Sequence, residues 1–445
     1  MHTWYEQAVF YHIYPLGLLG AEKTNTLTET AHRLTELESW IPHISDLNGS
    51  AIYIGPLFES CTHGYDTKDF RLVDRRLGSN EDFARFVRLC HENGIRVVVD
   101  GVFNHTGREF FAFQDIREKR EASPYKDWYR GVNFGWGSPL GDPFGYEAWQ
   151  GHFELPCLNL WNPEVRQYLF DSIQFWVDNF NIDGIRLDCA NVLDFGFMKE
   201  LREKTSAMKP DFWLMGEVIH GEYNRWVNPE MLHSVTNYEL HKALYSGHND
   251  HNYFEIAHNV RRLEAVGRSL YTFVDNHDED RIASKLNNLA NLFPVYQLLF
   301  TLPGIPSVYY GSEWGIEGKR SRTSDEVLRP ALNLSDMHGK APELASHIAA
   351  LGKIHTENDA FHNGSYKELL LTNRQYAFSR SGEHGTVISA VNNDEQPASI
   401  SIPLPCAASD VVSLLPGEVP FSLENGRLSV TLPANGGAIF KLQEV

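Results

Sequence analysis

Eight short apolar runs recur between residues 9 and 310, and several of the segments between them carry helix signals. The runs cover residues 9–14, 51–54, 95–100, 184–188, 213–217, 234–236, 271–274 and 307–310. Short apolar runs bounded by polar segments are typical of buried strands, and strands that alternate with helices build parallel sheets. The pattern therefore predicts an α/β chain with a (β/α)8 barrel, in which functional side chains come from the carboxyl ends of the strands.

Two of the intervening segments have defined helix boundaries. Asn80 is predicted to cap a helix that begins with two acidic residues and ends at Asn93 and Gly94. Asn162 is predicted to cap a second helix, because Pro163 follows it and proline is tolerated in the first turn of a helix. Both helices lie between predicted strands, as the barrel requires.

The run 184–188 ends in an arginine and a carboxylate. Alternate side chains of a strand share a face, so Arg186 and Asp188 are expected to project together into one site. A neighbouring arginine favours the ionised form of an aspartate, and an ionised, fixed carboxylate is a nucleophile. Glu217 and Asp278 stand at or just after the ends of two later runs. Together these residues predict a site built from three carboxylates.

Composition excludes several classes of partner and location. The 445 residues include 39 Lys and Arg against 58 Asp and Glu, a net charge of −19. Nucleic-acid binding relies on clustered basic residues, so no nucleic-acid partner is expected. The five cysteines are scattered and predict reduced thiols rather than a disulfide framework. With no signal-like start and no apolar run of about 20 residues, we expect a cytoplasmic protein without a membrane partner.

Two regions interrupt the alternation. Residues 105–158 are rich in glycine, proline and aromatic residues and are too long for a plain loop, so they predict an inserted subdomain after the third strand or a lid over the site. Residues 361–445 change to short alternating runs separated by glycine, asparagine and proline, which predict a C-terminal antiparallel β-sandwich. The barrel is then assigned to residues 1–104 and 159–360.

Seven short motifs follow one another along the chain. They are Gly-Tyr-Asp at 64–66, Asp-Gly-Val-Phe-Asn-His at 100–105, Leu-Pro-Cys-Leu-Asn at 155–159, Gly-Ile-Arg-Leu-Asp at 184–188, Gly-Glu at 216–217, Asp-Asn-His-Asp at 275–278 and Gly-Ile-Pro-Ser-Val-Tyr-Tyr-Gly-Ser-Glu at 304–313. Their joint order is far more specific than any single motif. The same motifs occur in this order in the alpha-amylase family of glycoside hydrolases, which the chain therefore resembles.

The resemblance implies a retaining mechanism with three acids. Asp188 would be the nucleophile, Glu217 the general acid and then base, and Asp278 the group that stabilises the transition state. The apolar residues before Glu217 favour a raised pKa, which a general acid needs. The implied substrate-binding set adds a stacking tyrosine, two histidines that donate hydrogen bonds to sugar hydroxyls, and an aspartate that positions the arginine: Tyr65, Asp66, Asp100, His105, Arg186 and His277.

Within the family, the chain is most similar to the neopullulanase, cyclomaltodextrinase and maltogenic amylase group. The similarity lies at 155–159, 162–166 and 189–191, although that group usually has Lys where Cys157 stands and Trp where Ile219 stands. The substrates implied are maltooligosaccharides, cyclodextrins or related small α-glucans cleaved at α-1,4 bonds. The group usually carries an additional N-terminal domain that forms a dimer interface, whereas this sequence begins at the barrel, so a monomer or weak homodimer is expected.

The alternative functions either use the same three acids for a related reaction or involve no catalysis. An exo-acting α-glucosidase, an oligo-1,6-glucosidase and a transglycosylase are the nearest, and an inactive sugar-binding relative is the most distant.

Typical alpha-amylases also bind calcium through an Asn after the third strand and a His four residues after the nucleophile. Asn104 is present, but Val192 replaces the His and offers no ligand atom to a hard cation, so neither calcium nor another cofactor is predicted. For the aromatic residues in or beside the insertion, core packing and sugar stacking both stay open: Trp136, Trp149, Phe153 and Trp161.

Overall fold

The computed structural model describes residues 3–444, and its largest element is an eight-stranded parallel sheet. Its strands are β1 (Phe10–Ile13), β2 (Ala51–Ile54), β3 (Arg96–Gly101), β4 (Gly184–Leu187), β5 (Trp213–Gly216), β6 (Ser234–Val235), β7 (Tyr271–Phe273) and β8 (Ile305–Tyr309). They follow the order β6-β5-β4-β3-β2-β1-β8-β7, and a parallel bridge between Thr236 and Tyr271 joins the two remaining edges. The predicted (β/α)8 barrel is confirmed.

Helices cover the outside of this barrel, but the connection from β5 to β6 has only a single 3-10 turn, Tyr223–Arg225. Elsewhere at least one α-helix lies between successive strands. The α-helices are Pro15–Leu18, Trp40–Asp46, Asn80–Glu92, Phe111–Lys119, Pro163–Phe180, Phe195–Met208, Tyr238–Asn249, Tyr253–Arg262, Ile282–Lys285, Leu292–Thr301, Leu334–Met337 and Pro342–Glu357.

The second predicted helix cap is confirmed, and the first is wrong by one residue. The Asn162 side chain accepts a hydrogen bond from the Glu164 amide, as an N-cap should. The helix Asn80–Glu92 is capped instead by Ser79, whose hydroxyl accepts from the Asp82 amide while the Asp82 carboxylate accepts from the Ser79 amide. The Asn80 side chain accepts from the Val73 amide, so a contact distant in sequence takes it away from the helix end.

Strand alternation places the charged residues of β4 inside the barrel. Ile185 and Leu187 pack in the layer between the sheet and the helices, whereas Trp213 and Met215 of the neighbouring β5 fill the interior. Arg186 is therefore on the interior face, as the sequence predicts, and it pairs in register with Asp100 of β3. An interior arginine at this depth must find carboxylate partners, because an isolated buried charge is very costly.

The insertion between β3 and the helix Pro163–Phe180 has its own small core. It contains the helix Phe111–Lys119 and a hairpin of Ala148–Trp149 with His152–Pro156. Phe113, Phe144 and Tyr146 pack against one another within it. Its two ends are joined where the Leu158 amide donates to the Asn104 carbonyl over 2.9 Å, so the insertion is anchored beside the end of β3.

Residues 365–444 form two antiparallel sheets that enclose an apolar layer, so the predicted C-terminal β-sandwich is confirmed. The sandwich docks on the helix Leu292–Thr301, where the Gln297 amide donates to the Ala390 and Ala438 carbonyls. One sheet orders Ser365–Leu371, Gln375–Gly382, Gly385–Asn392, Gly436–Glu444 and Ala408–Ser413, and the other Ala398–Pro403, Arg427–Leu432 and Phe421–Glu424.

Two further sequence predictions concern cysteine chemistry and membranes. All five cysteines are free thiols, as expected. Within residues 3–444, no helix combines the length and the apolar character that crossing a bilayer would demand.

Candidate active site

The predicted site residues meet at the carboxyl ends of the barrel strands. Asp100 lies in β3, Asp188 follows β4, Glu217 follows β5 and Asp278 follows β7. These strands reach the same end of the barrel because all eight are parallel, so residues far apart in sequence converge there. Asp188 and Glu217 are almost fully buried, whereas the Asp278 side chain is 40% exposed at the mouth.

Arg186 connects three carboxylates. Its Nη1 atom lies 2.9 Å from Asp100 Oδ1 and 2.8 Å from Asp188 Oδ1, and its Nη2 atom lies 2.9 Å from Glu217 Oε2. The guanidinium is only 3% exposed, so these pairs are made in a region that excludes water. The fixed fork of an arginine suits this arrangement, because its nitrogens point in set directions and hold each carboxylate in one orientation.

Cys189 also contacts two of these carboxylates, those of Asp188 and Glu217. Its backbone amide donates to Glu217 Oε2 over 3.0 Å, and its thiol donates to Asp188 Oδ2 over 3.2 Å. Glu217 Oε2 is thus shared between Arg186 and the amide, and the contacts described involve Oε2 rather than Oε1. Asp188 accepts a strong donor on Oδ1 and a weak one, a thiol, on Oδ2.

The environment of Glu217 raises the pKa of its carboxyl to about 7. Burial is the largest cause, because it penalises the charged form; Arg186 opposes it, while the negative charges of Asp188 and Asp278 reinforce it. The apolar run before Glu217 led us to expect this direction. Burial also raises the pKa of Asp100, again against the opposing effect of Arg186.

Asp278 has the opposite electrostatic setting. Burial would raise the pKa of its carboxyl, but His277 and the two arginines Arg329 and Arg186 hold that pKa well below its usual range. Arg329 Nη2 lies 2.7 Å from Asp278 Oδ1, and His277 Nε2 lies 3.1 Å from Oδ2. Asp278 is therefore ionised at pH values where Glu217 is protonated.

Aromatic and imidazole rings line the side of the site near β2, β3 and β7. The half-buried Tyr65 lies with its hydroxyl 2.5 Å from His277 Nε2, and the two rings are nearly parallel with centroids 5.8 Å apart. His105 is buried beside Trp149, with ring centroids 5.9 Å apart. Asp66 is also buried, and its carboxylate accepts from the Thr62 amide and hydroxyl, which holds the loop that presents Tyr65.

Two further residues that contact the site are not marked by any of the sequence motifs. The Tyr53 hydroxyl donates to Asp100 Oδ2 over 2.9 Å, and Arg329 also donates through Nε to the His277 carbonyl. Strand alternation could have identified Tyr53, because it lies on the face of β2 that points into the barrel interior. Arg329 lies in an irregular segment beyond β8, and no periodicity or motif marks it.

Two of these acids and a neighbouring cysteine offer side-chain atoms of the kinds that metal ions bind. Ligand atoms of Asp188, Cys189 and Glu217 lie within 4.8 Å of one another. However, Arg186 already occupies both carboxylates with a fixed positive charge, and a cation placed there would have to displace it. The arrangement is therefore better suited to two carboxyl groups that act on a substrate.

Comparison with known proteins agrees with this geometry. Residues 25–341 match the model of the alpha amylase catalytic domain. The chain belongs to the alpha-amylase family. It is an alpha-amylase family glycoside hydrolase, and the resemblance inferred from the motifs is confirmed.

Individual members of the alpha-amylase family match nearly the whole chain. A cyclomaltodextrinase from Geobacillus thermopakistaniensis is 30% identical over 99% of this chain and 78% of its own length. A debranching enzyme from Nostoc punctiforme has a TM-score of 0.85 at 27% identity, covering 99% of this chain and all of the other. A cyclic α-maltosyl-(1→6)-maltose hydrolase from Arthrobacter globiformis has a TM-score of 0.83 at 25% identity, with 98% of both chains covered.

Proposed function

We propose that this protein is a retaining glycoside hydrolase that cleaves α-1,4-glucosidic bonds in maltooligosaccharides, cyclodextrins or related small α-glucans. The observation that carries the proposal is the closeness of Asp188 and Glu217, since one carboxylate oxygen of each lies within 4.8 Å of the other. Retaining enzymes place their two carboxyls about 5 Å apart, because one of them must reach the anomeric carbon directly. Inverting enzymes keep a larger gap that admits a water molecule.

Asp188 is assigned as the nucleophile. Its Oδ1 atom is paired with Arg186, whereas Oδ2 accepts only the weak thiol donor among its described contacts. Oδ2 therefore keeps more of its electron density and attacks the anomeric carbon. A glycosyl ester forms at Asp188 as the bond to the leaving oxygen breaks, and water later hydrolyses this ester.

Glu217 is assigned as the general acid and then the general base. A pKa of about 7 keeps it mostly protonated near neutral pH, so it can give its proton to the leaving oxygen. Oε2 is engaged by Arg186 and the Cys189 amide, both donors, so the proton is placed on Oε1. After the leaving group departs, the carboxylate takes a proton from the attacking water, which restores the starting state.

Asp278 and the ring-bearing residues are assigned to the sugar itself. The ionised Asp278 stabilises positive charge that develops on the sugar ring in the transition state. Tyr65 stacks on the ring, and His105 and His277 donate hydrogen bonds to its hydroxyls. Asp100, Arg186 and Asp66 act on the substrate through the side chains and loops that they hold in place.

We propose that no calcium ion is held at the site used by typical alpha-amylases. The Asn104 amide nitrogen is directed at His105 Nδ1, 3.2 Å away, and Val192 brings an apolar side chain to the second ligand position. These residues do not fit a hard cation, which prefers several oxygen ligands. Activity and thermal unfolding measured with and without a strong chelator test this, and a loss of either in chelator would contradict it.

A second candidate is cleavage of α-1,6 bonds. Two structures that match this chain from end to end are a debranching enzyme and a hydrolase of a cyclic saccharide with α-1,6 linkages. The same three acids would serve either linkage, because the covalent intermediate is the same glucosyl ester. Exo-acting release of glucose and transfer to a second sugar also share that intermediate, so product analysis must separate all of these.

The experiment is a product profile of the purified protein on maltoheptaose, β-cyclodextrin, pullulan and isomaltose, with Glu217→Gln as the blank. Ring opening of cyclodextrin or panose from pullulan would support the proposed function. Cleavage of α-1,6 bonds alone would favour the second candidate. Stepwise release of glucose with cyclodextrin untouched would indicate an exo-acting glucosidase. No product from any substrate would favour an inactive relative.

A further inference from the structure

Trp161 is a large apolar side chain that projects into solvent while its position is fixed. It is 76% exposed, the highest value among the large hydrophobic residues exposed in the described chain. Its indole Nε1 donates to Asp194 Oδ2 over 3.0 Å, and its backbone amide donates to Asn159 Oδ1 over 3.2 Å. Arg166 donates to both the Leu160 carbonyl and Asp194 Oδ1, so it fixes the backbone before Trp161 and the carboxylate that accepts from the indole.

The residue that holds this indole belongs to the loop of the proposed nucleophile. Asp194 comes six residues after Asp188, and exposed Val192 lies between them on the same loop. The next loop carries Glu217 and the exposed Ile219. The two loops are joined at their bases, where the Cys189 amide donates to Glu217. Both of the loops that carry the pair of acids therefore also carry exposed apolar groups.

The position of Glu217 decides which part of a substrate would meet these groups. A general acid stands next to the oxygen that leaves, so the leaving sugar lies on the side of the Glu217 loop. Tyr65, His105 and His277, by contrast, come from the loops after β2, β3 and β7 and are assigned to the sugar that is attacked. The exposed groups near Glu217 therefore face the leaving-group side.

We infer that Trp161 is a binding platform for the glucosyl rings on the leaving-group side of the scissile bond, with Val192 and Ile219 completing the surface between it and Glu217. This inference rests on the proposed function. Glucose presents C–H groups on its ring faces, and a flat, amphipathic indole supplies contact area for such a face at a low entropic cost. Because the hydrogen bond to Asp194 fixes the indole beforehand, little ordering is required when a sugar binds.

The test compares Trp161→Ala and Trp161→Phe on substrates with long and short leaving groups. On maltoheptaose, Trp161→Ala is expected to lower kcat/KM by about fivefold to tenfold, mainly through KM, since one aromatic contact is lost. On 4-nitrophenyl α-maltoside, whose leaving group contains no glucosyl ring to bind the platform, kcat/KM is expected to stay within about twofold. Phe421→Ala, an exposed aromatic of the C-terminal sandwich, is the matched control and should change neither value.

Trp161→Phe separates binding from support of the loop. It keeps a flat ring but lacks the indole N–H, so a platform predicts recovery of most of the loss on maltoheptaose. Equal losses on both substrates, or no recovery with Phe, would overturn the platform and indicate a role in holding Asp194. A wild-type enzyme that cleaves none of these substrates would overturn the proposed function together with the platform.

Discussion

The pH dependence of the reaction is the sharpest consequence of the environment of Glu217. The general acid works in its protonated form, so kcat/KM should fall as the pH rises through the pKa of about 7. With that pKa, the protonated fraction falls from about nine-tenths at pH 6 to about one-tenth at pH 8, a roughly tenfold loss. A carboxyl with the ordinary value of 4.5 would already have lost about 30-fold at pH 6.

The physical reason for this shift can be tested in the same assay. Burial raises the pKa of Glu217, so the alkaline limb of the pH profile is assigned to Glu217. Asp278 stays ionised far into acid, so the acid limb of the profile is not assigned to Asp278. The free-enzyme pKa is read from kcat/KM measured between pH 4 and pH 9 at constant ionic strength. The substrates are 4-nitrophenyl and 2,4-dinitrophenyl α-maltosides.

The two leaving groups provide the control. Dinitrophenolate departs with little help from an acid, so the alkaline limb for bond breaking should flatten with that substrate. Glu217→Gln should lose most activity on maltoheptaose and far less on the dinitrophenyl substrate. A limb near pH 4.5, or a limb near pH 7 that is identical for both leaving groups, would refute the assignment of Glu217 as the acid.

Three further predictions concern side chains that position or stabilise. Arg329→Ala removes one of the charged partners of Asp278 and should lower kcat on maltoheptaose by roughly 10- to 100-fold with a smaller change in KM. Arg329→Lys should recover part of this loss, and an unchanged kcat in Arg329→Ala would contradict the prediction. Cys189→Ser places a stronger donor on the proposed nucleophile and should be roughly tenfold slower than Cys189→Ala in kcat/KM; the reverse order would disprove the thiol argument. Asp74→Asn leaves Arg76 buried without its charge partner and should lower the free energy of unfolding by about 3–5 kcal/mol in denaturant titrations. A loss below about 1 kcal/mol would show that the pair does not stabilise the fold.

Much of the fold could be predicted because its signals are local. All eight barrel strands were found from apolar runs, since a buried parallel strand needs a short continuous apolar stretch and little else. The face of Arg186 followed from alternation alone. The cap of the helix Asn80–Glu92 could not be predicted in the same way, because Ser79 and Asn80 are both suitable capping residues. The Asn80 side chain accepts from the Val73 amide outside the helix, so Ser79 is the cap.

The sequence by itself determined the order of the strands, the motifs at their ends and the family, because each depends on residue types at short spacing. Only the tertiary structure decided how charges from different strands combine. The pKa of Glu217 depends on burial and on Arg186, Asp188 and Asp278, and Arg329 reaches Asp278 from an irregular segment 51 residues away. Trp161 is exposed rather than packed for the same reason: solvent contact is set by which elements fold around a side chain, and that is a non-local property.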